Sequence, residues 1–376
     1  MKGIKKLLVT TMLTVLTNVQ AAPLLDVELN NQSIYAGSYV TTGDAAKAAG
    51  NLQAFGTITI GASSQVGGTL ETGTFVSIGA AAGVAGNIKS GTYVSVGDSA
   101  VLGGDVQSGT YTSIGEAAGV VGNINAGGAV TIADNATVVG DVVSKVSIAV
   151  TGKGAIDGDN TIAIDDGTSS PHVVVSQESN ITNAQQTLRE LEGTDLNGTV
   201  TTNIELFPGV YNVNGILAVT GGIIITLNGK NKDSYWVFNI SQNMTFGDGA
   251  MVNLIDVPPD SSVIWNVTGG YATIGANANM RGLILAKGNI TSGDSAKLSG
   301  VGDYCGGAFS AKEYITLGAS SSFGTTDCLN GAATSYDNLV RRSNMVAISE
   351  PATFLLLGVG FLGFLGLIGI NNRRKA

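Results

Sequence analysis

A hydroxyl residue recurs at every eighteenth position through the first half of the chain: Thr41, Thr59, Ser77, Ser95, Ser113 and Thr131. Two residues ahead of each stands Tyr39, Thr57, Phe75, Tyr93, Tyr111 or Ala129. Hydroxyls and methyls set in a row at one pitch can match a regular crystal surface. Threonine is stiff about χ1, so an aligned row loses little entropy on binding. A row of rings suits another ligand, the sugar ring, which stacks on an aromatic face. A flat wall with Tyr93 and Tyr111 turned aside fits a crystal surface, and exposed, evenly stacked rings fit sugar. The same residues are also ordinary formers of an exposed strand face. A further hydroxyl row, Thr74, Thr92 and Thr110, falls near a corner.

Catalysis has weaker material. Asp157, Asp159, Asp165 and Asp166 lie close together in the chain, and paired carboxylates can do acid–base work. They occupy positions like those of Asn87, Asp105, Asn123 and Asp141, where Asn and Asp turn the chain. His172 is the only histidine, beside Ser169, Ser170 and Pro171, so a Ser-His-Asp triad would depend on it alone. Calcium ligands at the Asp positions would come one per repeat rather than clustered. No enzyme activity, metal or cofactor is expected. The net charge of −9 with no basic patch argues against a nucleic-acid partner. Cys305 and Cys328 are the only cysteines, and in an exported protein such a pair forms a disulfide.

The elements that must position the hydroxyls follow from the same period. Gly50, Gly68, Gly86, Gly104, Gly122, Gly140 and Gly158 keep the step without a gap. Three apolar columns obey it: Ile60 to Val150, Val66 to Ile156 and Leu70 to Val142. A fixed short period means stacked units that bury their apolar side against each other. Eighteen residues make three short strands and three turns, one rung of a parallel β-solenoid, over residues 37–160. In the rung from Gly91, Val94 and Val96 point inward and Gly97-Asp98 turns the chain. Leu102 again points inward, and Gly104-Asp105 makes the next corner, where glycine tolerates positive φ.

Residues 161–193 form a connector with one helix over Asn183 to Glu192, capped by Ser179 or Thr182 and ended by Gly193. The helix is expected to pack along the solenoid's side. Residues 194–329 are strand-rich but irregular. Thr245, Thr273, Thr291 and Thr316 carry on the hydroxyl pattern at spacings of 28, 18 and 25, with loops inserted into rungs. Asn243, Tyr271, Asn289 and Tyr314 carry on the ring pattern. One continuous solenoid of two textures is expected.

The two ends carry addresses. Lys2, Lys5 and Lys6 before Leu7 to Leu16, with Val19-Gln20-Ala21, predict a signal peptide over residues 1–21. Residues 330–349 form a linker, and residues 350–376 hold an apolar run, Ala352 to Ile370, before Arg373-Arg374-Lys375. That run is long enough for a transmembrane helix. With Ser349-Glu350-Pro351 it resembles the PEP-CTERM sorting signal, with Ser349 where the first proline would stand. The resemblance implies an exosortase-type processing enzyme as partner and delivery to the cell surface or extracellular matrix. A permanent membrane anchor is the alternative.

Between these ends, several phrases resemble the bacterial and fungal ice-binding protein family. They are Phe207-Pro208-Gly209-Val210-Tyr211, Tyr235-Trp236-Val237-Phe238-Asn239-Ile240 and Val263-Ile264-Trp265-Asn266-Val267. Arg281-Gly282-Leu283-Ile284-Leu285-Ala286 and Gly307-Ala308-Phe309-Ser310-Ala311 follow in the same order. The resemblance implies an all-β fold, a right-handed parallel β-solenoid braced by one α-helix, and ice binding. The expected function is an exported, non-enzymatic ice-binding-like protein using the Thr41-to-Thr131 and Thr245-to-Thr316 hydroxyls. Tyr93, Tyr111, Tyr271 and Tyr314 would lie beside them. The alternative is a cell-surface or biofilm-matrix structural or adhesive protein that binds exopolysaccharide.

Overall fold

Strands here are short because each rung turns after three residues. In Val94–Val96 the outer two side chains are buried and Ser95 between them faces out. A computed structural model describes residues 24–162, 172–230, 234–325 and 332. The expected signal peptide, sorting tail and transmembrane run lie outside the described residues, as do Asp165, Asp166, Ser169, Ser170 and Cys328. Among the described residues no helix is long and apolar enough to cross a membrane.

The rungs build three parallel sheets of 14, 13 and 13 strands, which form three walls of one solenoid. The first wall holds Gln32–Ala36, Ile88–Ser90 and Tyr235–Ile240; the second holds Val40–Thr42, Val94–Val96 and Ala272–Ile274. The third holds Lys47–Ala48, Val101–Leu102 and Lys297–Ser299. At about 4.8 Å per rung, the first wall is roughly 60 Å long. The inward columns are buried as expected: Ile78, Val96, Val84, Leu102, Ile88 and Val106 are at most 3% exposed. They join Phe246, Trp265, Met280 and Phe323 of the irregular half in a single core. Val150, in the terminal regular rung, is 43% exposed, because its strand is the edge of the second sheet.

Spatial order differs from chain order. The strand Gln32–Ala36 pairs with Asn51–Ala54 on one side and Gly307–Ser310 on the other. The chain therefore starts in the middle, climbs to Asn160–Ile162, and restarts at the far end with Thr194–Asp195. From there it stacks back until its last rung meets its first. Pairing closes the open strand edges that the first and last rungs would otherwise present. The solenoid is continuous in space, but the irregular half does not follow on from Asn160.

Helix α1 is Val27–Asn30, and helix α2 is Glu178–Arg189. The latter starts before the expected Asn183, and its N-cap is Gln177, whose side chain makes no capping bond to the helix backbone, not Ser179 or Thr182. Thr182 Oγ1 instead donates back to Glu178 O at 2.9 Å. Tertiary contacts set the start: Gln177 N donates to Tyr35 Oη at 2.8 Å. Ile181, Ala184 and Leu188 then pack on Tyr35, Val237, Ile264, Leu285 and Phe309 of the first wall. Asn239 and Asn266 latch the helix, donating to Leu188 O and Gln185 O, each at 2.9 Å. With α2 outside and the core inside, Tyr235–Ile240 and Ser262–Val267 are buried throughout, which explains why they are apolar on both faces save for Ser262 and the two latching asparagines.

The periodic glycines have another cause than the one expected. Gly97 and Gly104 are not in the left-handed region. A Cβ on Gly97 would lie 2.7 Å from Ala80 N, and one on Gly104 would lie 2.6 Å from Gly86 C. Close approach of successive backbones excludes a side chain there. Positive φ is carried by Ala45, Ser63, Ala81, Ser99, Ala117 and Asn135, at 54–58°. The corner Asn and Asp residues act as clamps between rungs. Asn87, Asp105, Asn123 and Asp141 each accept through Oδ1 from the backbone N–H of the residue one rung on, at 2.8–2.9 Å.

Candidate functional site: a hydroxyl column on the second wall

The ten predicted hydroxyl residues form one unbroken column. In spatial order they are Thr131, Ser113, Ser95, Ser77, Thr59, Thr41, Thr316, Thr291, Thr273 and Thr245, each paired with the next. Ala149 follows Thr131 at one end, and Ala218 then Thr199 follow Thr245 at the other. The inserted loops therefore leave the register of this wall intact. At about 4.8 Å per step the ten residues span roughly 43 Å.

These side chains are unencumbered. Among the described residues the only hydrogen bond made by a column hydroxyl joins Thr273 Oγ1 and Thr291 Oγ1, at 3.4 Å. The corner row contrasts: Thr74 and Thr92 donate to Gly56 O and Thr74 O at 2.7 and 2.8 Å. Those two corner hydroxyls, offered by the sequence as a second face, hold rungs together instead. Along the column's other flank run Gly43, Gly61, Gly79, Gly97 and Gly115, continued by Gly318, Gly293, Gly275 and Gly247. Bare backbone there gives the wall a level shelf.

The ring column stands on the opposite flank. Phe75 and Tyr93 stack at 4.7 Å and 4°, Tyr93 and Tyr111 at 4.8 Å and 3°. Across the junction of first and last rungs, Tyr39 stacks on Tyr314 at 4.8 Å and 6°. Even stacking is the pattern expected of a sugar-binding wall, and Tyr111 is 45% exposed. Yet a ring with neighbours on both sides, such as Tyr93, shows solvent its edge, not its faces. Open faces remain at the ends of the stacks and at Tyr271, which stands between Asn243 and Asn289 with no ring partner among the described residues.

The other walls lack this uniformity. The outward column of the first wall reads Gln53, Glu71, Lys89, Gln107, Asn125, Val143 and Thr161, with Lys89 bridged to Glu71 at 2.8 Å. That of the third wall reads Lys47, Gln65, Gly83, Val101, Gly119, Thr137 and Ala155. Burial lowers the pKa of His172 and raises those of Tyr35 and Tyr211. No group of three or more His, Cys, Asp or Glu that could hold a metal occurs among the described residues. Cys305 is disulfide-bonded and lies off this wall, next to the bridge of Val301 and Tyr304.

Residues 147–322, just under half of the chain, match the ice-binding-like family model. No curated protein matches the chain. Among solved structures it is similar to an ice-binding protein from the Antarctic ascomycete Antarctomyces psychrotrophicus, with 15% identity, 80% of this chain and 97% of that one covered, and a TM-score of 0.38. For an ice-binding protein with antifreeze activity from an Arctic yeast, identity is 16%, coverage 79% and 92%, and the TM-score 0.40. For a domain of ice-binding protein 1 from Shewanella frigidimarina the figures are 17%, 51% and 92%, and 0.33. The family match begins at the last regular rung, so most of the eighteen-residue repeats lie outside it.

Proposed function

We propose that this is an exported, non-enzymatic ice-binding protein whose ice-facing surface is the hydroxyl column of the second wall. The observation that carries the reading is the contrast between hydroxyls. At the corner the Thr74 and Thr92 hydroxyls are spent on backbone carbonyls, whereas those of the column make no bond to the backbone and stand in register over ten rungs. A rigid parallel sheet holds them in place before any ligand arrives, so ordering costs little on binding. The family match over residues 147–322 supports the same reading and covers Thr245, Thr273, Thr291 and Thr316. The terminal segments, taken as signal peptide and sorting tail, would deliver the solenoid to the cell surface, with an exosortase-type enzyme as processing partner. The test is ice-crystal shaping and recrystallisation with the unmodified chain and with column variants.

A second reading rests on the open ring faces. Tyr271 and the stack ends at Phe75, Tyr111, Tyr39 and Tyr314 could each take a sugar ring, as an adhesive matrix protein would require. It predicts that binding to polysaccharide depends on Tyr271, and that ice growth is unaffected by the protein.

A further inference from the structure

The third wall carries a cavity of about 730 Å³ at the level where first and last rungs meet. It is lined by small residues, among them Ala49, Gly67, Ser299 and Gly324, together with Lys47 and Arg281. No carboxylate lines it. Arg281 Nε is buried and has no hydrogen-bond partner. Lys297 belongs to the same outward column as Lys47, with Ser322 between them. Three cations elsewhere are engaged: Lys89 by Glu71 at 2.8 Å, Lys312 by Glu178 at 3.0 Å, and Lys230 over the Phe207 ring at 3.7 Å. Lys47, Arg281 and Lys297 have no such partner among the described residues. In a chain of net charge −9 this grouping does not follow from general basicity.

We propose that this cavity binds an acidic polysaccharide, a chain of carboxylate- or sulfate-bearing sugars running along the solenoid axis. Cavities of roughly 300–1,000 Å³ accept ligands of oligosaccharide or drug size. Lys47 and Lys297 stand two rungs apart, about 10 Å, too far to grip one small anion together. Successive charges on a polymer reach both. The guanidinium of Arg281 offers a planar fork suited to a carboxylate or sulfate. The small lining residues let sugar rings lie close to the backbone. The site is on a different wall from the hydroxyl column, so its fate is independent of ice binding.

The experiment is a titration of the full chain with a polyuronate oligosaccharide, a sulfated oligosaccharide of equal length and a neutral glucan, at low and raised salt. Saturable binding of either acidic probe, weakened by salt, is the expected result, and the stronger of the two identifies the anionic group. Lys47→Gln should weaken it at least threefold and Lys47→Gln with Arg281→Gln at least tenfold. Lys312→Gln, at a residue bridged to Glu178 of α2 and outside the cavity lining, should leave it unchanged. The exposed Lys47 makes its variant safe to fold, and unchanged thermal melting and ice activity would confirm that. No binding of either acidic probe, equal binding of the glucan, or equal loss with Lys312→Gln would overturn the proposal.

Discussion

Thr41 lies beside Thr316 in register on the second wall, although the two come from opposite ends of the described chain. Their pairing joins the six regular hydroxyls to the four irregular ones. Neither half alone would present a surface of that length. The junction is also where Tyr39 meets Tyr314, so both columns cross it together.

Rings and hydroxyls should separate by mutation. Tyr93→Ala removes two stacking contacts and is expected to cost about 1 kcal/mol of stability, read as a modest fall in denaturation midpoint. Ice shaping should persist. Loss of ice activity in this variant at full helical and sheet content would place the rings in the ice site.

The two turn positions should respond in opposite ways to a methyl. Gly97→Ala sets a Cβ 2.7 Å from Ala80 N, and overpacking of this kind costs about 1–3 kcal/mol. Ala81→Gly relieves a left-handed residue at φ 57°, a strain of roughly 1–2 kcal/mol, partly offset by glycine's greater freedom when unfolded. Melting temperature should fall for the first and hold or rise slightly for the second. A clear fall for Ala81→Gly would contradict the assignment.

The corner clamps depend on an acceptor, not on charge. Asp105 Oδ1 accepts from Asn123 N at 2.8 Å, the geometry that Asn87 and Asn123 reproduce with an amide. Asp105→Asn should leave the urea midpoint unchanged, and Asp105→Ala should lower stability by about 1 kcal/mol. Equal loss in both would point to charge instead.

Tyr35 ties α2 to the first wall, and its phenol is pushed above its ordinary pKa of 10.0, chiefly by burial. The raised value means that the folded state favours the protonated phenol. Its contribution is therefore whole below pH 10.0 and is lost as pH rises through the folded value. Tyr35→Phe leaves Gln177 N–H without its acceptor and should cost about 1–3 kcal/mol at neutral pH. Alkaline unfolding profiles should show a smaller loss above pH 10 in the variant than in the parent. An unchanged profile would remove Tyr35 as a pH-dependent anchor.

The regular half was readable in sequence because every column repeats without slip: Val94 and Val96 inside, Ser95 outside, Gly97 at the turn. What glycine does there was not readable. A tight corner and a tight stack both ask for glycine, and only the position of Ala80 N decides between them. The neighbour of Thr41 was equally hidden, since nothing local records that Thr316 returns to it. The start of α2 is not legible locally, because Gln177 is held by the distant Tyr35 rather than by a cap of its own. The cations of the third wall went unnoticed for the same reason: Lys47 and Arg281 meet only after the chain has stacked back on itself.

The measurement that bears most directly on the hydroxyl column compares ice growth with the unmodified protein and with Thr41→Tyr/Thr316→Tyr. The account predicts faceted crystals and arrested recrystallisation with the first. The variant should give round crystals and normal coarsening at unchanged melting temperature. Round crystals with the unmodified protein, or full activity in the variant, would contradict it.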